Sequence, residues 1–325
     1  MAGSTDRPAQ PALRGLTVLE RGWLSSNNIL LHDEAGAVLV DSGHVVHAEQ
    51  TVALVRHALA ANTPTAGGAP AHLRRIVNTH VHSDHCSGNA ALQRATGAGL
   101  TIPPWQAQAV ERWDDEALSY AATGQLCERY SADATLAPGQ RLQAGGRAWE
   151  AVAAPGHDPD SLMLFDARDG VLISADALWG NGFGVVFPAI DGRLDLANAF
   201  DDVAEALATI ERLDAALVIP GHGPVFTDVA DALARARRRL EGFRREPLRH
   251  NRYAAKVLVK YHVMERGSVP LAELHAWAVA TPLVQRLWQG SEAGRTPLLE
   301  WFDAVLGELA DGGAVRRRDD RVHDA

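Results

Sequence analysis

The chain has 325 residues, 46% of them hydrophobic, enough to bury one large core and a smaller second one. A formal charge of −9 argues against a broad nucleic-acid-binding surface, so nucleic acid is not the expected partner. Two cysteines, Cys86 and Cys127, make no disulfide framework, Met1 to Pro8 has no apolar secretory core, and no run reaches the ~18 apolar residues of a membrane span; a cytoplasmic protein with no membrane partner is expected.

Residues 1 to 14 are polar and proline-rich and are expected to be disordered. Three short apolar runs follow, Leu16 to Leu19, Asn28 to Leu31 and Ala37 to Val40, separated by turn residues such as Glu34-Ala35-Gly36, and each predicts a strand. The third ends in Asp41-Ser42-Gly43, with His44 just beyond. Apolar Val52, Leu54, Val55 and Leu59 predict a helix over Ala48 to Ala60, and Thr63 to Pro70 reads as a Pro/Gly loop.

The run Arg75-Ile76-Val77-Asn78 then leads into Thr79-His80-Val81-His82-Ser83-Asp84-His85-Cys86. Three imidazoles and a carboxylate at the end of a strand are poor core material, and these side chains suit Zn, Fe and Mn, so the segment is a candidate metal site. Cys86 beside it reads as a small packing residue in the following helix. Trp105 to Tyr130 reads as a helical insertion, within which Tyr120 is either a packed residue or a hydroxyl offered to a developing oxyanion.

Three later apolar runs each end in a breaker and a polar residue: one at Pro155-Gly156-His157, one at Ser174-Ala175-Asp176 and one at Pro220-Gly221-His222. In layered α/β proteins chemistry collects where strand ends meet loops, so these positions are expected to converge. After Asp176 comes Trp179 to Pro188, whose Gly spacing is not a dinucleotide fingerprint because no helix pattern follows; Trp179, Phe183 and Phe187 are expected to form an apolar lip over the site.

Beyond His222 the arginines from Arg235 to Arg252 read first as a solvated helix face and second as a phosphate-binding one. Ser268-Val269-Pro270, Thr281-Pro282 and Thr296-Pro297 look like helix caps followed by proline in the first turn. The last helix, with Leu298, Phe302, Val305, Leu306 and Leu309 on one stripe, stops at Gly312-Gly313, and Ala314 to Val322 reads as a hairpin.

With His80, His82, Asp84 and His85 followed in order by His157, Asp176 and His222, the chain resembles the metallo-β-lactamase-fold hydrolases over roughly residues 15 to 240. The resemblance implies an αββα sandwich, catalytic over 15–244, with a small helical, winged-helix-like domain over 245–325 that shapes a pocket or a homodimer interface. It also implies two divalent metal ions, zinc preferred with iron or manganese admitted. His80, His82 and His157 would hold one ion, Asp84, His85 and His222 the other, and Asp176 both, with Asp41 a support behind the ligands and Asp84 orienting the attacking hydroxide.

Asp rather than Cys or Ser at position 176 resembles the glyoxalase II, lactonase and ribonuclease Z branches more than antibiotic-cleaving enzymes. A metal-bridged hydroxide cleaving a small ester, thioester or lactone is the implied chemistry. The rivals are a phosphodiesterase or nuclease, and a mononuclear iron sulfur dioxygenase. His44 is included with the expected pocket residues because it follows the Asp41 turn.

Overall fold

The computed structural model describes residues 11–34, 36–62, 71–187, 196–292 and 295–325. The expectations for residues 1–10, for the turn at Ala35, for the loop 63–70 and for Pro188 lie outside the described residues.

A first sheet of six strands runs in chain order: β1 (Leu16–Leu19), β2 (Asn28–Leu31), β3 (Ala37–Val40), β4 (Leu73–Val77), β5 (Gly99–Ile102) and β6 (Ala134–Thr135). β1 to β3 pair antiparallel and β3 to β6 parallel. Strands β2 and β3 are buried on both faces, as near-continuous apolar runs must be. Leu30, Leu39, Ile76 and Leu100 face helices α1 (Ala48–Ala61), α2 (Ser83–Cys86) and α3 (Asn89–Thr96), meeting Val55, Leu59 and Leu92. The insertion after β5 is less helical than its composition suggests: only α4 (Ala107–Arg112) and α5 (Tyr120–Thr123) form, apart from one 3₁₀ turn, because Trp113 and Ser119 take left-handed backbone conformations that interrupt the helical path.

The second sheet holds β7 (Arg141–Ala144), β8 (Arg147–Ala153), β9 (Leu162–Asp166), β10 (Val171–Ala175) and β11 (Leu217–Pro220) in the order β11-β10-β9-β8-β7. Its inner face, with Trp149, Leu164 and Ile173, interdigitates with Ile29, Val38 and Val77 of the first sheet. Its outer face carries Met163, Leu172 and Val218 under α6 (Leu196–Leu213) and α7 (Val229–Arg245), which contribute Phe200, Leu207, Leu233 and Leu240. Helices outside two packed sheets make the αββα sandwich, and alternation of side chains along each strand supplies both of its buried faces.

The remainder forms its own core: α8 (Pro247–Arg266), α9 (Leu271–Ala280), α10 (Pro282–Glu292), α11 (Leu298–Asp311), and a three-stranded sheet of β12 (Ser268–Pro270), β13 (Val315–Arg318) and β14 (Arg321–Asp324). Among the described residues four helices stand here, one more than the three candidate caps predict. Ser268 to Pro270 is a strand paired with β14, so Ser268 caps no helix and Pro270 stands as the N-cap before α9, not in its first turn; the edge position tolerates Pro270. Pro297 likewise precedes α11, whereas Pro282 opens α10.

The arginine-rich stretch is largely neutralised from neighbouring elements. Arg235 pairs with Asp228, Arg237 with Glu211, Arg244 with Asp201 and Arg252 with Glu308, while Arg239 lies over the rings of Phe183, Phe243 and Tyr253. Among the described residues no helix is long and apolar enough to cross a membrane.

Candidate metal centre

β3, β4, β8, β10 and β11 all end at one rim of the sandwich, and the polar residues that follow them meet there. Two turns hold a non-glycine residue at positive φ: Asp41 at 57° after β3 and Ala175 at 47° just before Asp176. Such conformations cost about 1–3 kcal/mol each and persist only where neighbours fix them. Here Asp41 N donates to Val77 O at 3.0 Å, Asn28 Nδ2 to Asp41 O at 3.1 Å, and Gly221 N to Ala175 O at 2.7 Å. A Cβ on Gly221 would stand 2.2 Å from Asp176 Oδ1, so only glycine lets the β11 turn approach this carboxylate.

The potential donor atoms fall into two groups, His80, His82 and His157 in one and Asp84, His85, Asp176 and His222 in the other, all within 4.8 Å inside each group. Either group could hold a cation. His82 Nδ1 lies 2.8 Å from His157 Nε2, and His222 Nε2 lies 3.1 Å from Asp84 Oδ2. The Asp176 oxygens divide between the groups: Oδ1 is 3.3 Å from His85 Nε2 and Oδ2 is 3.3 Å from His157 Nε2.

Behind this cluster the outer ring nitrogens of three histidines are tied down, whereas His222 Nδ1 is buried with no hydrogen-bond partner among the described residues. His157 Nδ1 donates to Val185 O at 2.6 Å and His85 Nδ1 to Asp41 Oδ2 at 2.8 Å. His80 Nδ1 lies 3.1 Å from Thr79 Oγ1, which donates to Asp41 Oδ2 at 2.8 Å. Each such bond holds a proton on Nδ1 and turns Nε2 inward.

Burial, and then the neighbouring His157, hold His82 neutral down to about pH 3; burial and His85 push His80 well below the usual imidazole range. Burial opposes ionisation of Asp84, but the positive charge of His85 and the hydrogen bond from His222 outweigh it and bring the carboxyl to about 2. Asp176 is likewise held well below the carboxylate range, chiefly by His85 and His222 against burial. His85 moves the other way: against burial, Asp176, Asp41 and Asp84 favour its charged form. The carboxylates of the second group therefore favour positive charge beside them, whereas His80 and His82 are held neutral.

Among the described residues His80 Nε2 is buried with no hydrogen-bond partner, and His85 Nε2 has none beyond its 3.3 Å approach to Asp176 Oδ1. Leaving such atoms unpaired costs about 1–3 kcal/mol each, and divalent cations bound by nitrogen and oxygen would satisfy both. The residues present therefore fit the expected metals.

A cavity of about 930 Å³ opens over the cluster, lined by His82, Asp84, His157, Asp176 and His222 together with Trp179 and Phe187. Three residues expected in its wall lie elsewhere. Phe183 is fully buried against Phe243 and under Arg239. Tyr120 is buried and spends its hydroxyl on Val81 O at 2.7 Å, so it has none to offer an oxyanion. His44 is buried, with Nε2 3.0 Å from Glu265 Oε1.

The wall also contains residues that sequence reasoning did not select. Trp23 stacks on His222 with ring centroids 5.6 Å apart, and Tyr261 of α8 lies with its hydroxyl 2.7 Å from Ser83 Oγ. Asp158 Oδ2 lies 3.4 Å from His82 Nε2, whereas His157 meets the same ring at Nδ1. Adjacency to His157 was a usable signal for Asp158; Trp23 and Tyr261 carry no local one.

Residues 21–222 match the family profile described as the metallo-beta-lactamase superfamily. Over 162 residues the chain is 33% identical to a hydroxyacylglutathione hydrolase from Anaeromyxobacter dehalogenans, covering 50% of this chain and 52% of that protein. Over 209 residues it is 25% identical to a beta-lactamase-like protein 2 homolog from Caenorhabditis elegans, covering 63% of this chain and 58% of that one. The chain thus spans little more than half the length of these relatives. Among solved structures, it is similar to a metallo-beta-lactamase family protein from Thermus thermophilus (TM-score 0.56, 19% identity, 96% of this chain and 99% of that one). A beta-lactamase domain protein from Burkholderia ambifaria gives a TM-score of 0.54 at 20% identity, with coverages of 96% and 91%. At these identities the shared property is the fold.

Proposed function

The chain belongs to the metallo-beta-lactamase superfamily, and from that premise we propose that it is a binuclear metal-dependent hydrolase cleaving a small ester, thioester or lactone. The observation that carries the reading is the division of the Asp176 oxygens between two donor groups, in each of which one histidine, His80 or His85, turns a buried Nε2 with no hydrogen-bond partner inward. His80, His82 and His157 are assigned to one ion, Asp84, His85 and His222 to the other, and Asp176 to both. Zinc is the preferred metal on this donor set, with iron or manganese accommodated by the same side chains.

Two divalent ions bound there would supply Lewis acidity towards the scissile carbonyl and a water whose pKa is lowered to ~7. Asp84 is the more exposed of the two carboxylates, at 15% against 4% for Asp176, and it faces the cavity. Asp84 would therefore orient the attacking hydroxide. Trp179 and Phe187 keep bulk water from the reacting bond, and Asp41 holds His85 from behind. Residues 15–244 make up the catalytic unit on this reading, and residues 245–325 close one side of the pocket. The name of the Anaeromyxobacter relative, a hydroxyacylglutathione hydrolase, points the same way.

Elemental analysis of protein purified without added metal, paired with a screen of ester, thioester, lactone and phosphodiester substrates, tests the proposal. Two ions per chain are expected, with turnover of acyl substrates abolished by a chelator and restored by zinc. One iron per chain with oxygen uptake would refute it.

A further inference from the structure

Ser83 lies between His82 and Asp84, which belong to different donor groups. It is fully buried, and the backbone turns there: His82 is extended, with φ −67° and ψ 148°, whereas Ser83 opens the short helix α2. The turn at Ser83 therefore sets the directions in which the two neighbouring ligands point. A shift of this one residue moves a ligand of each group.

The Ser83 hydroxyl is held from two distant parts of the chain. It donates to Oε1 of Gln125, just after α5, at 2.8 Å, and the hydroxyl of Tyr261 on α8 lies 2.7 Å away. A serine hydroxyl has one proton, so with that proton given to Gln125 the bond to Tyr261 is one in which the phenol donates. The phenol proton is then spent on Ser83 and not free for a developing oxyanion. Tyr261 is itself braced: its ring stands edge-on to His44, with centroids 5.7 Å apart. One turn further along α8, Glu265 Oε1 lies 3.0 Å from His44 Nε2 and accepts from the backbone N of Leu126, the neighbour of Gln125, at 3.1 Å. The His44 turn returns to the metal motif as well, Val45 N donating to Ser87 Oγ at 2.7 Å.

Resting on the binuclear hydrolase reading of this site, we propose that Tyr261 is a positioning residue, which together with Gln125 sets His82 and Asp84 through the hydroxyl of Ser83. The C-terminal helices then do more than wall the cavity, since α8 fixes the geometry of the metal motif. Groups standing behind metal ligands typically contribute ~10–100-fold in metal affinity or activity, and a misplacement of about 1 Å can cost on the order of 10²-fold in rate.

The test compares the full chain carrying Tyr261→Phe, Ser83→Ala or both. Phenylalanine keeps the ring against His44, so thermal unfolding of the metal-free Tyr261→Phe protein is expected to stay close to that of the unaltered chain. Zinc affinity, read by titration against a competing chelator, should fall about tenfold in each single variant. The double variant should bind no more weakly than the worse single one, because both changes cut the same link. With zinc saturating, kcat on a 4-nitrophenyl ester should fall in Tyr261→Phe while KM changes little, as expected of a hydroxyl that touches Ser83 and not the substrate. Unaltered zinc affinity in Tyr261→Phe overturns the inference. A double variant whose loss is the product of the two single losses also overturns it, since Tyr261 would then act independently of Ser83. If the unaltered zinc-loaded chain turns over no acyl substrate, the hydrolase reading falls, and the zinc titrations still decide the role of Tyr261.

Discussion

The carboxylate of Asp41 accepts from Nδ1 of His85 at 2.8 Å, with both side chains buried beyond the ends of the central strands of the first sheet. The same oxygen accepts from Thr79 Oγ1, whose other neighbour is His80 Nδ1, so one carboxylate stands behind a histidine of each donor group. Asp41→Asn separates its charge from its backbone role, because asparagine tolerates the positive φ of 57° as aspartate does. The variant should bind zinc at least about tenfold more weakly while its circular dichroism is unchanged, as read by titration against a competing chelator. Unaltered affinity would leave Asp41 with a purely structural part.

Asp176→Ala removes the one side chain whose two oxygens face both donor groups. Mass spectrometry of the native protein should show occupancy falling from two ions to one, because His80, His82 and His157 remain intact. Retention of both ions by the variant would contradict the bridging role.

Gly221→Ala would force a methyl group to within 2.2 Å of Asp176 Oδ1 and 3.0 Å of the Ala175 carbonyl. Both neighbours are held firmly, one by the cluster and one by the sheet, so the β11 turn must retreat. Thermal unfolding should reveal a loss of about 1–3 kcal/mol, and metal content should fall with it. A variant with normal stability and full metal content would show that the turn is softer than its contacts suggest.

His250 and His262 make the C-terminal core sensitive to acid. His250 sits edge-on between Phe200 and Phe243, and His262 stacks on Trp277 at 4.0 Å. Burial, and then Arg239 or Arg266 respectively, lowers each to about 4 from an ordinary 6.5. Above pH 6.5 both folded and unfolded chains are neutral at these rings, so they contribute no pH dependence. As pH falls from 6.5 towards 4 only the unfolded chain takes up the protons, and stability drops by up to about 3 kcal/mol per histidine. Urea unfolding of metal-free protein at several pH values between 8 and 4 reads this. His262→Phe, which keeps the stack on Trp277, should lessen the decline by up to about 3 kcal/mol, with His250, His80 and His82 supplying much of the remainder in metal-free protein; an unchanged slope would place the acid sensitivity elsewhere.

Much of the molecule was legible because the signals were local. The bounds of β1, β2 and β3 follow from short apolar runs closed by turn residues, and the structure places them at the same residues. Strand alternation and breaker residues depend on neighbours two to four positions away, which a sequence displays directly. Seven potential ligands could be named for the same reason: a dense motif at 80–85, and single polar residues closing otherwise apolar strands.

The C-terminal helices were placed less well, since proline after Ser or Thr marks a helix start and an edge strand alike. Ser268 to Pro270 became a strand only because β14 was available to pair with it.

What only the tertiary structure decided is the direction of side chains and the meeting of distant segments. Phe183 and Phe187 lie four residues apart in one apolar segment, yet one is sealed into the core by Phe243 and the other faces the cavity. His44 looked like a pocket residue from its place after Asp41, but a carboxylate on α8 claims it: Glu265, 221 positions away. Trp23 and Tyr261 reach the wall in the same way, Tyr261 touching a residue 178 positions earlier in the chain. The sequence determines which residues can do chemistry and which strand ends carry them, because those depend on composition and period. The shape and charge of the pocket are set by contacts whose separation along the chain exceeds any local pattern, and such contacts exist only once the two cores have packed.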